Sequence, residues 1–82
     1  MEFLWTDEAK QNLAALDRPI QNRIAEKMRW FAGQKDSLSF AERLTGMQGQ
    51  FRFRVGAYRI FVQPDGTVIA VLRIRKRSEA YR

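Results

Sequence analysis

The stretch FRFRVGAYRIF, residues 51–61, alternates arginine with apolar side chains and is interrupted once, by a Gly-Ala pair. Alternation with a period of two sends successive side chains to opposite faces of an extended chain, so the segment reads as two strands joined at Gly56-Ala57. Glycine supplies the positive φ that the first central position of a type II′ turn needs. A two-residue loop of that kind predicts Val55 paired with Tyr58, Arg54 opposite Arg59, and Arg52 opposite Phe61. Phe51, Phe53 and Val55 then face one way, Arg52 and Arg54 the other. Like charges directly opposed across a hairpin destabilise it by a few tenths of a kcal/mol up to about 1. Neither Arg54 nor Arg59 has an acid nearby in sequence to offset this. Long stems covering apolar sheet surface are one account of such residues. An anionic ligand is the other, because guanidinium groups bind phosphate bidentately and several together stabilise a developing negative charge.

Beyond Phe61, Pro64-Asp65-Gly66 has the chemistry of a three-residue loop, a type I turn closed by a left-handed glycine. That loop predicts Arg59 opposite Val71 and Phe61 opposite Ile69. Val68, Ala70, Leu72 and Ile74 would lie on the core face with Phe53, Ile60 and Val62, while Arg73 and Arg75 would join Arg52, Arg54 and Arg59. A two-residue Asp65-Gly66 loop would shift the last strand by one and reverse the assignment.

Upstream, the apolar run EFLW at residues 2–5 reads as a first strand. Thr6 offers a capping oxygen, Asp7 and Glu8 complement a helix N-terminus, and Ala9, Leu13 and Leu16 recur at helical spacing. Asp17 is placed to cap a second helix with Pro19 in its first turn, along which Ile20, Ile24, Met28 and Phe31 form one stripe up to Gly33. So short a link predicts an antiparallel helix hairpin. Trp5, Trp30 and Phe31 are expected in the core. Residues 34–50 read as a connection with a short helical turn near Phe40–Leu44. The expected architecture is α+β: one domain, residues 1–82, with an N-terminal strand and an antiparallel helix hairpin packed on a mainly antiparallel four-stranded sheet.

Charge sharpens the functional reading. Of the 15 Lys/Arg and 9 Asp/Glu, residues 1–50 hold seven of each, so the whole net charge of +6 resides in residues 51–82. A field concentrated in that way favours an anionic partner, nucleic acid above all. The chain has no cysteine and no histidine, which removes disulfides, thiolate nucleophiles, an imidazole base and the usual zinc ligands. No cofactor and no metal are expected. No apolar run approaches the roughly 18 residues that span a bilayer, and the N-terminus has no basic region ahead of an apolar one, so a cytoplasmic protein is expected.

The order of elements and the stretch RLTGMQGQFRFRVGAYRIFVQPDGTVIAVLRIRKRSEAYR resemble the RelE/ParE toxin superfamily, the toxin half of bacterial type II toxin–antitoxin pairs. The most specific parts are the L-x-G of Leu44–Gly46, the R-x-R-V-G-x-Y-R of Arg52–Arg59, and the R-x-x-x-x-x-Y of Arg75–Tyr81. The resemblance to RelE-like members implies a ribosome-dependent mRNA endoribonuclease acting in the ribosomal A site. A ribose 2′-hydroxyl would attack the adjacent phosphate, leaving a 2′,3′-cyclic phosphate and a 5′-hydroxyl.

By that resemblance the catalytic set is Arg52, Arg54, Arg59, Arg75 and Tyr81. Arg54 and Arg59 would hold the scissile phosphate, Arg75 would neutralise or protonate the leaving oxygen, and Tyr81 would orient a nucleotide. Phe61, Arg73, Lys76 and Arg77 are expected to contact mRNA or rRNA, with Phe61 a candidate for base stacking. RelE has lysines where this chain has Arg52 and Arg54, and a guanidinium is too persistently protonated to serve as a base. Tyr81 and Glu79 are candidates for that role, and electrostatic catalysis with only a weak base is the alternative. A cognate antitoxin with an acidic wrapping segment is implied. A ParE-like inhibitor of DNA gyrase and a non-catalytic RNA- or ribosome-binding module are the competing functions.

Overall fold

A computed structural model describes residues 1–47 and 49–80, the last two by backbone only. Strand β1 (Glu2–Trp5) leads into helices α1 (Asp7–Ala14) and α2 (Arg18–Ala32); a single 3₁₀ turn (Ser37–Phe40) follows, then β2 (Glu42–Arg43), β3 (Phe51–Val55), β4 (Tyr58–Asp65), β5 (Val68–Lys76) and a short α3 (Arg77–Ala80). The strands form one sheet in the order β1-β5-β4-β3-β2, with β1 parallel to β5 and every other pair antiparallel. The α+β layering is as expected. The sheet has five strands rather than four because Glu42 and Arg43, expected in a helical turn, pair with Arg52 and Phe51 at the edge of β3.

Thr6 caps α1, its Oγ1 accepting from the Ala9 N–H at 3.1 Å. Asp17 occupies the N-cap of α2 without a side-chain cap bond. The two helices lay one apolar stripe on the sheet. Ala9, Ile24, Met28 and Phe31 meet Phe53, Val55, Ile60, Val62, Ile69, Val71 and Ile74, with Phe31 stacked on Phe53 at 4.3 Å between ring centroids. Each such side chain contributes about 1.5–3 kcal/mol by leaving water. Trp30 is a correction: it stays 47% exposed, on the outer side of α2 beside Phe40.

Both hairpins at the centre of the sheet turn on two residues with glycine first. Gly56 has φ 58° and Gly66 φ 64°, and no non-glycine residue among those described has positive φ. The first hairpin has the expected register, with Arg54 opposite Arg59 and Arg52 opposite Phe61. The second does not. Its loop is Gly66-Thr67, closed by the pair Asp65–Val68, so Ile69 and Val71 enter the core where Val68, Ala70 and Leu72 were expected. Taken alone, that register would have turned Arg73 and Arg75 inward. Instead the ladder passes from Val62–Val71 to Phe61–Arg73, leaving Leu72 as an extra, bulged residue. The bulge restores the phase, so Ile74 points inward and Arg73 and Arg75 outward.

Candidate active site

The sheet face opposite the helices carries two transverse rows of side chains. One runs Glu42, Arg52, Phe61, Arg73 across β2, β3, β4 and β5; the other runs Arg54, Arg59, Arg75 across β3, β4 and β5. In a two-residue hairpin the closing pair is hydrogen-bonded. The next pair out, here Arg54–Arg59, is therefore of the type whose side chains stand closest, with Cα atoms about 4.5 Å apart.

The three guanidinium groups of the second row have different surroundings. Arg54 is 55% exposed and its Nε donates to Glu42 Oε1 at 3.0 Å. Arg75 is 35% exposed and donates from Nη2 to Glu8 Oε2 at 2.9 Å and from Nη1 to Asn12 Oδ1 at 3.0 Å. Arg59, between them, is only 3% exposed. No carboxylate among the described residues pairs with it: its Nη1 makes one long bond to the Tyr58 carbonyl at 3.4 Å, and its Nε is buried with no partner. A buried charge is ordinarily paired.

Glu42 was not foreseen as part of this face, because it lies ten residues from Arg52 in the chain and reaches it only through the edge pairing of β2. Its carboxylate bridges Arg52, at 2.9 Å from Nε and Nη2, and Arg54. The Arg52 hydrogen bond is the largest influence on the Glu42 carboxyl; burial opposes it, and the fields of Arg54, Arg52 and Arg59 add to it, so that the group is held below its usual range. Kept ionised and doubly paired, it is a poor proton acceptor. The acids Glu8 and Glu42 thus flank the second row at its two ends and leave its centre uncompensated.

In the first row the Arg73 guanidinium lies over the Phe61 ring at 4.5 Å, and that ring is buried. A base approaching this position meets the Arg73 plane before the phenyl face. The Arg77 N–H donates to the Ala57 carbonyl at 2.7 Å, which starts α3 beside the turn that adjoins the Arg54–Arg59–Arg75 row. An open cleft of about 360 Å³ lies next to Arg75, lined by Leu16, Tyr58, Lys76 and Asn12 among others. Arg52, Arg54, Arg59, Arg73 and Arg75 therefore share one face, with Lys76 and Arg77 at its end. Tyr81 lies outside the described residues, as does the side chain of Glu79.

A family model described as the ParE toxin of the type II toxin–antitoxin system, parDE, matches residues 3–81. The chain belongs to the RelE/ParE toxin family. No curated sequence matches this toxin. Among solved structures it is similar to a chain of the RelB–RelE antitoxin–toxin complex from Methanococcus jannaschii, with 21% identity, TM-score 0.77, and 95% of this chain and 94% of that one covered. It is similar also to a chain of the toxin–antitoxin complex RelBE2 from Mycobacterium tuberculosis, with 24% identity, TM-score 0.78, and coverage of 94% and 91%. A chain of the chromosomal ParDE system from P. aeruginosa shares 21% identity at TM-score 0.73, with 93% and 95% covered. At these identities the likeness is one of fold, and it embraces RelE-type and ParE-type structures alike.

Proposed function

We propose that this RelE/ParE-family toxin is a metal-independent, ribosome-dependent mRNA endoribonuclease whose reaction is attack of a ribose 2′-hydroxyl on the adjacent phosphate. The observation that carries the reading is Arg59, a buried guanidinium at the centre of a guanidinium row with no counter-ion among the described residues. Holding it there is costly unless an anion arrives. A phosphate seated on Arg59 accepts from donors that no carboxylate among the described residues occupies, and is flanked by Arg54 and Arg75. As the 2′-oxygen adds, charge grows on the equatorial phosphate oxygens, and fixed guanidinium groups stabilise it without having to reorganise. Arg75 neutralises the departing 5′-oxygen. Arg52, Arg73, Lys76 and Arg77 hold the flanking backbone, and Tyr81 orients a nucleotide. The proton acceptor falls to Tyr81 or Glu79, since Glu42 is committed to Arg52 and Arg54.

The partner in the cell is a cognate antitoxin, encoded alongside, whose acidic segment neutralises the toxin by covering the arginine face. The solved structures that the chain resembles include toxin–antitoxin complexes, which supports this assignment. A gyrase-inhibiting function is favoured by one observation, the ParE description of the matching family model.

Induced expression in bacteria with primer-extension mapping of mRNA ends tests the proposal, together with a supercoiling assay. Cleavage at codon positions in translated messages, lost in Arg59→Ala and Arg75→Ala proteins that still fold, is the expected outcome. Intact mRNA with inhibited supercoiling, or full toxicity of both variants, overturns it.

A further inference from the structure

Strand β1 covers the outer edge of β5 only as far as the Trp5–Val71 pair. Beyond that point the exposed backbone of β5 is met by side chains and backbone from the start of α1 rather than by a strand. The Thr6 N–H donates to the Val71 carbonyl at 3.0 Å and Thr6 Oγ1 donates to the Leu72 carbonyl at 2.8 Å. One turn and a half later, Asn12 Oδ1 accepts from the Ile74 N–H at 2.9 Å. The same Asn12 oxygen accepts from Arg75 Nη1, while Glu8, one turn earlier on the same face of α1, accepts from Arg75 Nη2. A further bond from Arg75 Nη1 to the Ile74 carbonyl, at 2.9 Å, closes the arrangement.

We propose that Asn12, assisted by Glu8, is a positioning residue for Arg75, holding its guanidinium at the end of the Arg54–Arg59–Arg75 row in the orientation that the cleavage step uses; this rests on the endoribonuclease reading above. Three observations favour positioning over a purely structural purpose. Asparagine inside a helix is a weak helix former, so local stability does not select it. An ion pair as exposed as Glu8–Arg75 contributes little to folding, yet it completes three acceptors around one guanidinium and so removes most of that group's freedom. Last, Asn12 is a neutral acceptor: it orients Arg75 without adding a second negative charge to the one that Glu8 already places there. Among the described residues Arg59 has no such set of acceptors, only the long bond to the Tyr58 carbonyl, and burial does most to fix its place.

The test pairs two readouts on the full chain. In the free toxin, ¹⁵N NMR of the arginine guanidinium groups reads rotation about the Arg75 Nε–Cζ bond; in a translating extract, single-turnover mRNA cleavage reads chemistry. Wild type is expected to show separate, slowly exchanging Arg75 Nη signals. In Asn12→Ala these average, and the maximal cleavage rate falls roughly ten- to hundred-fold while the concentration for half-maximal cleavage stays within about two-fold. Asn12→Asp, which keeps an acceptor for both donors, retains the separate signals. Should Asn12→Ala fail to fold, Glu8→Ala removes an exposed contact to Arg75 alone and is expected to change both readouts in the same direction. Averaged Arg75 signals in wild type, or folded variants whose signals and cleavage rate match wild type, overturn the inference. A wild-type toxin that cleaves no mRNA at all overturns the nuclease reading instead, and the NMR readout still shows whether α1 orders Arg75.

Discussion

Arg59 and Arg75 stand directly opposite one another across β4 and β5, and among the described residues only Arg75 has acceptors for its donors beyond its neighbouring carbonyl. The same asymmetry recurs on the other side, where Arg54 opposes Arg59 and alone of that pair reaches Glu42. Repulsion along the row is thus relieved at its ends and left standing at its centre. The fold tolerates this because Arg59 is fixed by the packing of a central strand, with Ile60 immediately beside it fully buried in the helix-facing core.

A buried, unpaired guanidinium should cost stability that an apolar replacement of similar length recovers. Arg59→Leu is expected to raise the unfolding free energy by about 1 kcal/mol or more, since the buried unsatisfied Nε disappears and no partner is orphaned. Urea denaturation checks the sign. The same protein is expected to have lost toxicity, a trade of function for stability. A less stable Arg59→Leu would mean that the guanidinium is compensated in solution.

Glu42 titrates below the usual glutamate range because ionisation lets it accept from Arg52 and face Arg54. Its folded pKa is depressed, so its contribution is fully present above the unfolded value and disappears as pH falls through the folded one. Wild type is therefore expected to exceed Glu42→Gln in stability at neutral pH, with the gap closing on acidification through and below the ordinary glutamate range. Thermal unfolding across that interval measures it; a gap that persists at low pH would remove the ion pairs as its cause.

Gly56 adopts φ 58°, and a Cβ added there would meet only the Arg23 guanidinium at 3.7 Å, an ordinary contact. Any cost of Gly56→Ala is therefore backbone strain, about 1–2 kcal/mol. The substitution is expected to lower the unfolding free energy by that amount, and the denaturation midpoint in proportion, without changing the slope, because the hairpin it closes is still favoured by the β3–β4 core pairs.

Leu72 is half-buried, and it puts β5 in two phases. Deleting it would make Val71 and Arg73 consecutive and the strand regular, with Ile69, Val71 and Ile74 still toward the helices and Arg73 and Arg75 on the opposite face. Only the extra local twist of the bulge is lost, so the deletion variant is expected to keep cooperative unfolding in circular dichroism; loss of cooperativity would mean that the core needs that twist. A conservative Leu72→Val, which keeps the extra residue, is expected to fold.

What was readable from the chain alone followed from local rules. The alternation at residues 51–61 and the two-residue turn at Gly56-Ala57 set the β3–β4 register, because turn geometry and a period of two act over neighbouring residues. The helix stripes and the Thr6 cap are equally local, and they placed the core. The loop before β5 was misjudged because Pro64-Asp65-Gly66 is compatible with more than one turn, and turn chemistry alone does not choose between them. The choice belongs to the helix layer, which rewards burial of Ile69, Val71 and Ile74 together and so forces a bulge at Leu72 that no local pattern announces. Glu42 beside Arg52 and Arg54, and Asn12 and Glu8 around Arg75, depend on contacts spanning ten to sixty-seven residues. Such pairings arise only when the sheet closes and α1 packs along β5. The sequence by itself determined that arginines would crowd one face of a hairpin; tertiary packing, which sets contacts between residues far apart in the chain, decided which of them would meet a carboxylate and which would be buried with none among the described residues.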